Sequence, residues 1–341
     1  MNFLKINGGH GEGGGQIVRS AITLSCIMNQ PIHLENIRKK RKVPGLRPQH
    51  LTAIRILQKI SNAEIIGASI GSTELKFIPG KIRNLELNEN VGTAGSISLI
   101  LQVIIPVIAT SQKKIDLTIY GGTDVLWSPS MDYTINVLRE AYARMGIKFS
   151  IELHKRGYYP KGGGKIKLHV NSSDLKSISL LQRKTNLVKL ICTFSKLSSE
   201  KIEKLVNDIK EKLIRENFIV ETEIKNEIAI DEGASLLLYS IDDNSIIGVD
   251  SLFDKKIQDF NLDFEKFVKN PWGIDENLID MLVVIASLGS EKTVFHVKKI
   301  TDHLETNLFV TSKITGCKYG IGRLNDGFEI IIEGISNSSI K

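Results

Sequence analysis

Cysteine is scarce in this chain of 341 residues: there are three, Cys26, Cys192 and Cys317, in apolar surroundings and without CxxC or Cys/His spacing. Neither a disulfide framework nor a zinc site is supported by that pattern, and buried reduced thiols are expected. Long apolar runs are also lacking. The longest, SISLILQVIIPVIAT, is broken by Gln102 and Pro106 and is too short to span a bilayer, and the N-terminus lacks the basic-then-apolar order of a signal peptide. A cytosolic protein is expected. Acid is missing from one block, RKKRKVPGLR at 38–47, which holds six bases within a net charge of +7. Such a block suits a polyanion such as RNA or a nucleotide, or else it is a solvated loop.

Three stretches share one order of elements at low identity. The first runs from the glycine loop through a helix (QIVRSAITLSCIMN), a strand (PIHLENIR), a second helix (RPQHLTAIRILQKI) and paired strands (AEIIGAS, TELKFIPG). The second repeats this order with VGTAGSISLILQVIIPVIA, KIDLTIYGG, SPSMDYTINVLREAYARMG, KFSIELHKRGY and GGKIKLHV, and the third with GIDENLIDMLVVIASLG, KTVFHVKKI, TDHLETNLFVTSKITG, KYGIGRLN and GFEIIIEG. Helical stretches carry apolar residues at spacings of three and four, and strands such as KIKLHV alternate. The expected class is α+β: repeated units of about 1–85, 86–179 and 259–341, each with two helices covering one face of a sheet. Residues 180–258 fit none of this and read as a small inserted α/β domain. Its charged helix starts at Ser198–Ser199 and stops at Asn217.

GGHGEGGGQIVRS, residues 8–20, places glycines and one carboxylate, Glu12, before an apolar helix. Gly9, Gly11 and Gly14 satisfy GxGxxG and Glu35 follows about twenty residues on, which admits a dinucleotide site. The hairpin-like strands that follow argue against the parallel sheet such a site needs. A tight strand-to-helix turn is the plain alternative. Glu12 amid exposed amides, with Arg19 on the helix, suits a metal-bound polyphosphate: the carboxylate takes the cation while amides and guanidinium take oxygens. In KKITDHLETN, Asp302 and Glu305 have capping-box spacing, which puts His303 in a first helical turn, where the helix dipole favours a neutral imidazole and attracts phosphate. A neutral imidazole beside a phosphate is a nucleophile; a surface histidine near a cap is the bland alternative. His50 and the Met131–Asp132 region occupy the analogous places in the other units.

Five motifs in this order and spacing, GEGGGQIVR, ENIRKKRKVPGLRPQHLTA, GGTDVLWSPSMDY, YYPKGGGKI and TDHLETN, resemble those of the RNA 3′-terminal phosphate cyclases, and the resemblance spans essentially the whole chain, weakening over the insert. It implies three repeated units, each two helices on a four-stranded sheet, plus an insert resembling thioredoxin. It also implies an ATP-dependent, ligase-type reaction that releases diphosphate and AMP. His303 would attack the α-phosphorus of ATP to give histidyl-AMP, AMP would pass to the 3′-phosphate of an RNA, and the 2′-hydroxyl would close a 2′,3′-cyclic phosphate. By the same resemblance Glu12 would hold a divalent metal, magnesium or manganese. Arg19, Arg41 and Gln49 would contact ATP phosphates or the RNA end, and Gln102 the nucleotide. Asn277, Leu278, Ile279, Asp280 and Met281 fall where the family often has a tyrosine followed by Leu-Ala-Asp-Gln enclosing the adenine; that ring and amide are absent here, which leaves strictness for ATP over GTP open. Asn7 replaces a frequent aspartate and keeps the turn without supplying a negative ligand. Two other classes carry part of the pattern: a catalytically silent relative that binds RNA in ribosome assembly, against which His303 argues, and enolpyruvyl transferases, whose similar repeats leave the basic block unexplained.

Overall fold

The computed structural model describes residues 2–335; Met1 and residues 336–341, the end of the third expected unit, lie outside it. The first sheet is built from β1 (Leu4–Asn7), β2 (Ile32–Glu35), β3 (Glu64–Ile66) and β4 (Leu75–Ile78), with α1 (Gly15–Met28) and α2 (Pro48–Ser61) between them. The second holds β5 (Leu85–Asn90), β6 (Ile115–Gly121), β7 (Phe149–Lys155) and β8 (Gly164–Val170). With it go α3 (Ile97–Thr110) and a continuous helical stretch of α4 (Met131–Tyr133), a π-turn (Thr134–Leu138) and α5 (Arg139–Arg144). A separate five-stranded sheet follows, made of β10 (Leu187–Ser195), β11 (Ile219–Asn226), β12 (Gly233–Asp242), β13 (Ser245–Asp254) and β14 (Asp259–Phe260), with α6 (Ser199–Arg215) and α7 (Phe264–Val268). The last sheet combines β9 (Ser179–Leu180) with β15 (Lys292–Val297), β16 (Lys318–Leu324) and β17 (Gly327–Glu333), alongside α8 (Glu276–Ala286) and α9 (Asp302–Thr315).

The three four-stranded sheets have orders β1-β2-β4-β3, β5-β6-β8-β7 and β9-β15-β17-β16. In each the first pair is parallel and the other two antiparallel. No doubly wound parallel sheet occurs among the described residues, so the dinucleotide reading of GxGxxG has no scaffold here. The first strand of each sheet carries little signal of its own: β5, LELNEN, is mostly exposed and β9 is two residues long.

Burial explains the architecture. One apolar cluster runs through all three four-stranded layers, while a second joins Val188, Ile202, Val206, Leu213, Phe260 and Phe267 around the five-stranded sheet. That second core reaches past the expected boundary at 258, and Ser179–Leu180 pairs with β15 instead. In α6 the buried Ile202, Val206, Ile209 and Leu213 recur at helical spacing, and Ser198 caps the helix by accepting from Lys201 N. The helices of the other layers meet centrally: α1 packs on α3 and α9, α2 on α3, and α8 on α9.

The five-stranded layer docks on the others through apolar side chains, Ile191, Leu237 and Ile246 among them, and on the second layer through polar groups as well. Asp250 accepts from Ser130 N at 2.6 Å, and burial, with Asp124 and Asp275 nearby, raises its carboxyl to about 6. A carboxyl raised on folding binds more protons in the native state, so this group costs stability above about pH 6 and the cost fades as pH falls toward its unfolded value near 3.8. Asp250→Asn is therefore expected to gain on the order of 2 kcal/mol over wild type at pH 8 relative to pH 4. Parallel urea curves for both proteins at the two pH values check this; an unchanged difference would remove Asp250 as the titrating group.

Candidate active site

The glycine loop joins β1 to the start of α1, whose N-cap, Gly14, offers no side chain, so its first amides remain free for a ligand. Asn7 Oδ1 accepts from Gly9 N at 3.0 Å and from Asn36 Nδ2 at 3.2 Å, which keeps the turn. Gly11 has φ +53° and a Cβ there would collide with Thr306 Oγ1, so only glycine serves. The reason is contact with α9: Glu12 N donates to Thr306 Oγ1 at 3.0 Å, and the His10 ring stacks on Phe309 with centroids 3.9 Å apart. Two helix N-termini thereby converge.

His303 lies in the first turn of α9, as TDHLETN predicts, but the cap is Thr301 and not Asp302: Thr301 Oγ1 accepts from Leu304 N at 3.0 Å. Its Nδ1 is 3.6 Å from Glu12 Oε1. Glu12 is nearly buried, with its side chain 6 % exposed; Oε2 is paired with Arg41, whereas Oε1 is buried with no hydrogen-bond partner. A carboxylate oxygen left without a donor fits a divalent cation, and Glu12 is the residue that would hold it.

Cations surround this carboxylate. From the basic block, Arg41 and Lys40 reach the glycine loop, Lys40 through the carbonyl of Gly11, while Arg38 braces its own loop on the carbonyls of Val43 and Gly45. Arg19 projects from α1 to Gln16 with its Nε unpartnered. Burial lowers its guanidinium to about 10, partly offset by Glu12 and Asp280. His50, singled out in sequence only as the counterpart of His303, is buried here. Its Nδ1 accepts from Arg47 N at 3.1 Å, its Nε2 has no partner, and burial followed by Arg19, Arg38 and Arg47 lowers it to about 3, so it is neutral.

Gln49 Oε1 accepts from Ser96 N at 3.1 Å, which ties the site to the cap of α3 and leaves the amide nitrogen for a ligand. Gln102 is half-buried, and its Nε2 meets only the Met281 thioether, at 3.0 Å. Asp280 accepts from Thr301 Oγ1 at 3.4 Å, and its backbone carbonyl accepts from Asn307 Nδ2 at 2.6 Å. Burial raises this carboxyl well above the usual range. The run 277–281 divides by helical periodicity. Asn277, Asp280 and Met281 share one face of α8, with Met281 8 % exposed at the edge of the apolar core, whereas Leu278 and Ile279 are fully buried within it and their side chains cannot touch a nucleotide.

A family model described as RNA 3′-terminal phosphate cyclase matches residues 10–321. Curated relatives bearing that name include proteins of Korarchaeum cryptofilum (35 % identical over 98 % of this chain and 99 % of the relative) and Methanosarcina barkeri (34 %, over 97 % and 100 %). The corresponding protein of Pyrococcus furiosus is 35 % identical over 93 % of this chain and 96 % of its own. Among solved structures, the enolpyruvyl transferase NikO from Streptomyces tendae aligns over 100 % of this chain and 50 % of its own at 8 % identity and a TM-score of 0.43, too low to bear on fold or activity. Identity at this level over nearly the full length of each relative, together with the family match, establishes that the chain belongs to the RNA 3′-terminal phosphate cyclase family.

Proposed function

We propose that this protein converts the 3′-terminal phosphate of an RNA into a 2′,3′-cyclic phosphate at the expense of ATP, through histidyl-AMP on His303 and an RNA-adenylate. What carries the reading is the Glu12 carboxylate, buried with one oxygen unpartnered and 3.6 Å from His303 Nδ1. With Nδ1 turned to Glu12, Nε2 is the nucleophile. It attacks the α-phosphorus of ATP, a P–N bond forms as the P–O bond to pyrophosphate breaks, and pyrophosphate departs. An oxygen of the RNA 3′-phosphate next attacks that phosphorus and the P–N bond breaks, returning its electron pair to the ring. The 2′-hydroxyl then attacks the terminal phosphorus, its proton passing to solvent, and AMP leaves.

The unactivated monoester is a poor electrophile, so adenylylation supplies the leaving group that ring closure needs. Arg19, Arg41 and the free amides of α1 and α9 neutralise charge that grows on the phosphates. A divalent cation, magnesium or manganese, held by Glu12 would withdraw further charge from their oxygens. Gln102 of α3 and Asp280 of α8 offer polar groups to the nucleoside, beside the Met281 thioether that Gln102 Nε2 meets. On the same reading, the three like-ordered sheets are copies of one unit, and the five-stranded layer is an insertion resembling thioredoxin.

The test is incubation with α-labelled ATP and metal, followed by RNA ending in a 3′-phosphate. Label retained by the protein and then lost as cyclic ends appear is the expected result; no label and unchanged RNA would sink the proposal. Glu12→Ala is expected to slow labelling by roughly 10²–10³-fold and to blunt its metal dependence. Wild-type labelling with normal metal dependence in that variant would remove Glu12 from the metal site.

A further inference from the structure

Beyond the reacting groups, the largest aromatic surface that the fold leaves in solvent is on the loop after β6. Trp127 is 94 % exposed, and Tyr159, on the loop between β7 and β8, is 74 % exposed. The two loops are joined at their bases: Thr123 N and Asp124 N both donate to the Gly157 carbonyl, at 2.9 and 3.2 Å. Trp127 is also held out by its backbone. Its φ is +67°, a left-handed conformation that a bulky side chain rarely adopts and that costs on the order of 1 kcal/mol. The loop is pinned beyond it by Ser128 Oγ to the Val125 carbonyl (2.8 Å), Ser130 N to Asp250 (2.6 Å) and Met131 N to Asp124 (3.2 Å). Neither the core nor any ring contact among the described residues uses this indole, so folding does not account for it.

The position is informative. Gln49, in the candidate site, is bonded to Ser96 N; Ser96 bridges to Gly122, and Ile97 N donates to the Gly122 carbonyl at 2.8 Å. The aromatic loops therefore continue directly from the site, on the side reached through Gln49. Their neighbours are cationic: Lys161 is exposed beside Tyr159, and Lys196 reaches the carbonyl of Ile230, whose side chain abuts Gly163. The nearby acids are engaged, Asp231 by Lys161 N at 2.8 Å, Glu232 by Lys255 at 2.7 Å and Glu227 by Arg156 at 2.8 Å.

We propose that Trp127, supported by Tyr159, is a stacking platform for nucleobases of single-stranded RNA upstream of the reacting end. This rests on the reading of the site as one that takes an RNA terminus. A solvent-facing indole on a loop joined to one that carries a second exposed ring and an exposed lysine suits sequence-tolerant binding of a single strand, because every base offers a π-face and the backbone asks for cations. Leu126, 70 % exposed beside the ring, and Ile228, 78 % exposed where its carbonyl accepts from Arg156 N, add apolar surface that a protein partner could also use; the continuity of these loops with the candidate site through Gln49 and Ser96, and the exposed Lys161, favour the nucleic acid.

The chain has two tryptophans, so Trp272→Phe leaves Trp127 as the sole indole reporter. In that background, a short 3′-phosphate-ended oligonucleotide is expected to quench the fluorescence saturably. Trp127→Ala in the wild-type chain should weaken binding of the same RNA roughly 5- to 150-fold with its salt slope unchanged, because no phosphate contact is lost. Trp127→Phe should restore most of the affinity, Tyr159→Ala should show a smaller loss, and self-labelling by ATP alone should stay at the wild-type rate in every variant. Equal RNA affinity in Trp127→Ala and wild type overturns the proposal even where self-labelling is normal. Quenching by ATP with no further effect of RNA assigns the ring to the nucleotide and overturns it as well. Quenching and affinity loss as expected, with no self-labelling in any protein, would leave the platform standing and defeat the catalytic reading instead.

Discussion

Replacing His303 by alanine is expected to abolish retention of label from α-labelled ATP and to lower cyclic-phosphate formation by at least about 10³-fold, the scale on which loss of a covalent nucleophile is felt. The side chain is half-exposed in the first turn of α9, with a single 3.6 Å approach to Glu12, so its removal strips little from the core. Stability should change by no more than a few tenths of a kcal/mol. The thermal midpoint of the variant, measured beside its labelling, separates lost chemistry from lost fold. Labelling of the variant at the wild-type rate would place the covalent link elsewhere.

The largest effect on stability is expected at Arg156, far from that chemistry. Its guanidinium is fully buried and serves four residues: both oxygens of Asp124 at 3.2 and 3.1 Å, Asp132 at 2.7 Å, Thr193 at 3.3 Å and Glu227 at 2.8 Å. Burial by itself would lower its pKa, but Asp124 and Asp132 hold it charged and well above its usual value. Thr193 and Glu227 belong to the five-stranded layer and the two aspartates to the second layer, so one side chain clamps the two together. Arg156→Met strands buried carboxylates and should cost about 3–5 kcal/mol, a large part of a usual margin of roughly 5–15 kcal/mol. The triple variant Arg156→Met, Asp124→Asn, Asp132→Asn should recover much of it, because neutral amides need no counter-charge.

The pH dependence has a fixed sign. Stranded carboxyls have folded-state pKa values above their unfolded ones, so their penalty is full above the folded value and shrinks as pH falls through it. Urea midpoints of Arg156→Met should therefore approach those of wild type as pH is lowered from 8 toward 5. A loss under about 1 kcal/mol at pH 8, or one independent of pH, would contradict the clamp.

Much of the site is legible in the residues alone. Glu12 amid glycines, His303 in TDHLETN and Gln102 within an apolar helix each stand out because the residue type violates its local pattern, and such violations gather at functional sites. The run 277–281 shows the limit. Taken as one contiguous segment it supplies five contacts, yet a helix turns about 100° per residue, so Leu278 and Ile279 face the core while Asp280 and Met281 face Thr301 and Gln102. The edge strands β1, β5 and β9 escape for a different reason: they are too short, or too exposed, for alternation to register.

Periodicity of 3.6 or 2 residues, caps and glycine-rich turns are local properties, and by themselves they determined the helices and most strands and singled out the candidate side chains. Tertiary packing decided which of those side chains meet. Glu12 and Thr306 are 294 positions apart, and only the packing of α1 on α9 brings the glycine loop to the helix end that carries His303. It likewise decided that Arg156 clamps two layers, that one oxygen of Glu12 is left without a partner, and that Trp127 stands in solvent. Exposure and pairing are set by what the rest of the chain fails to cover, a quantity that no local window contains.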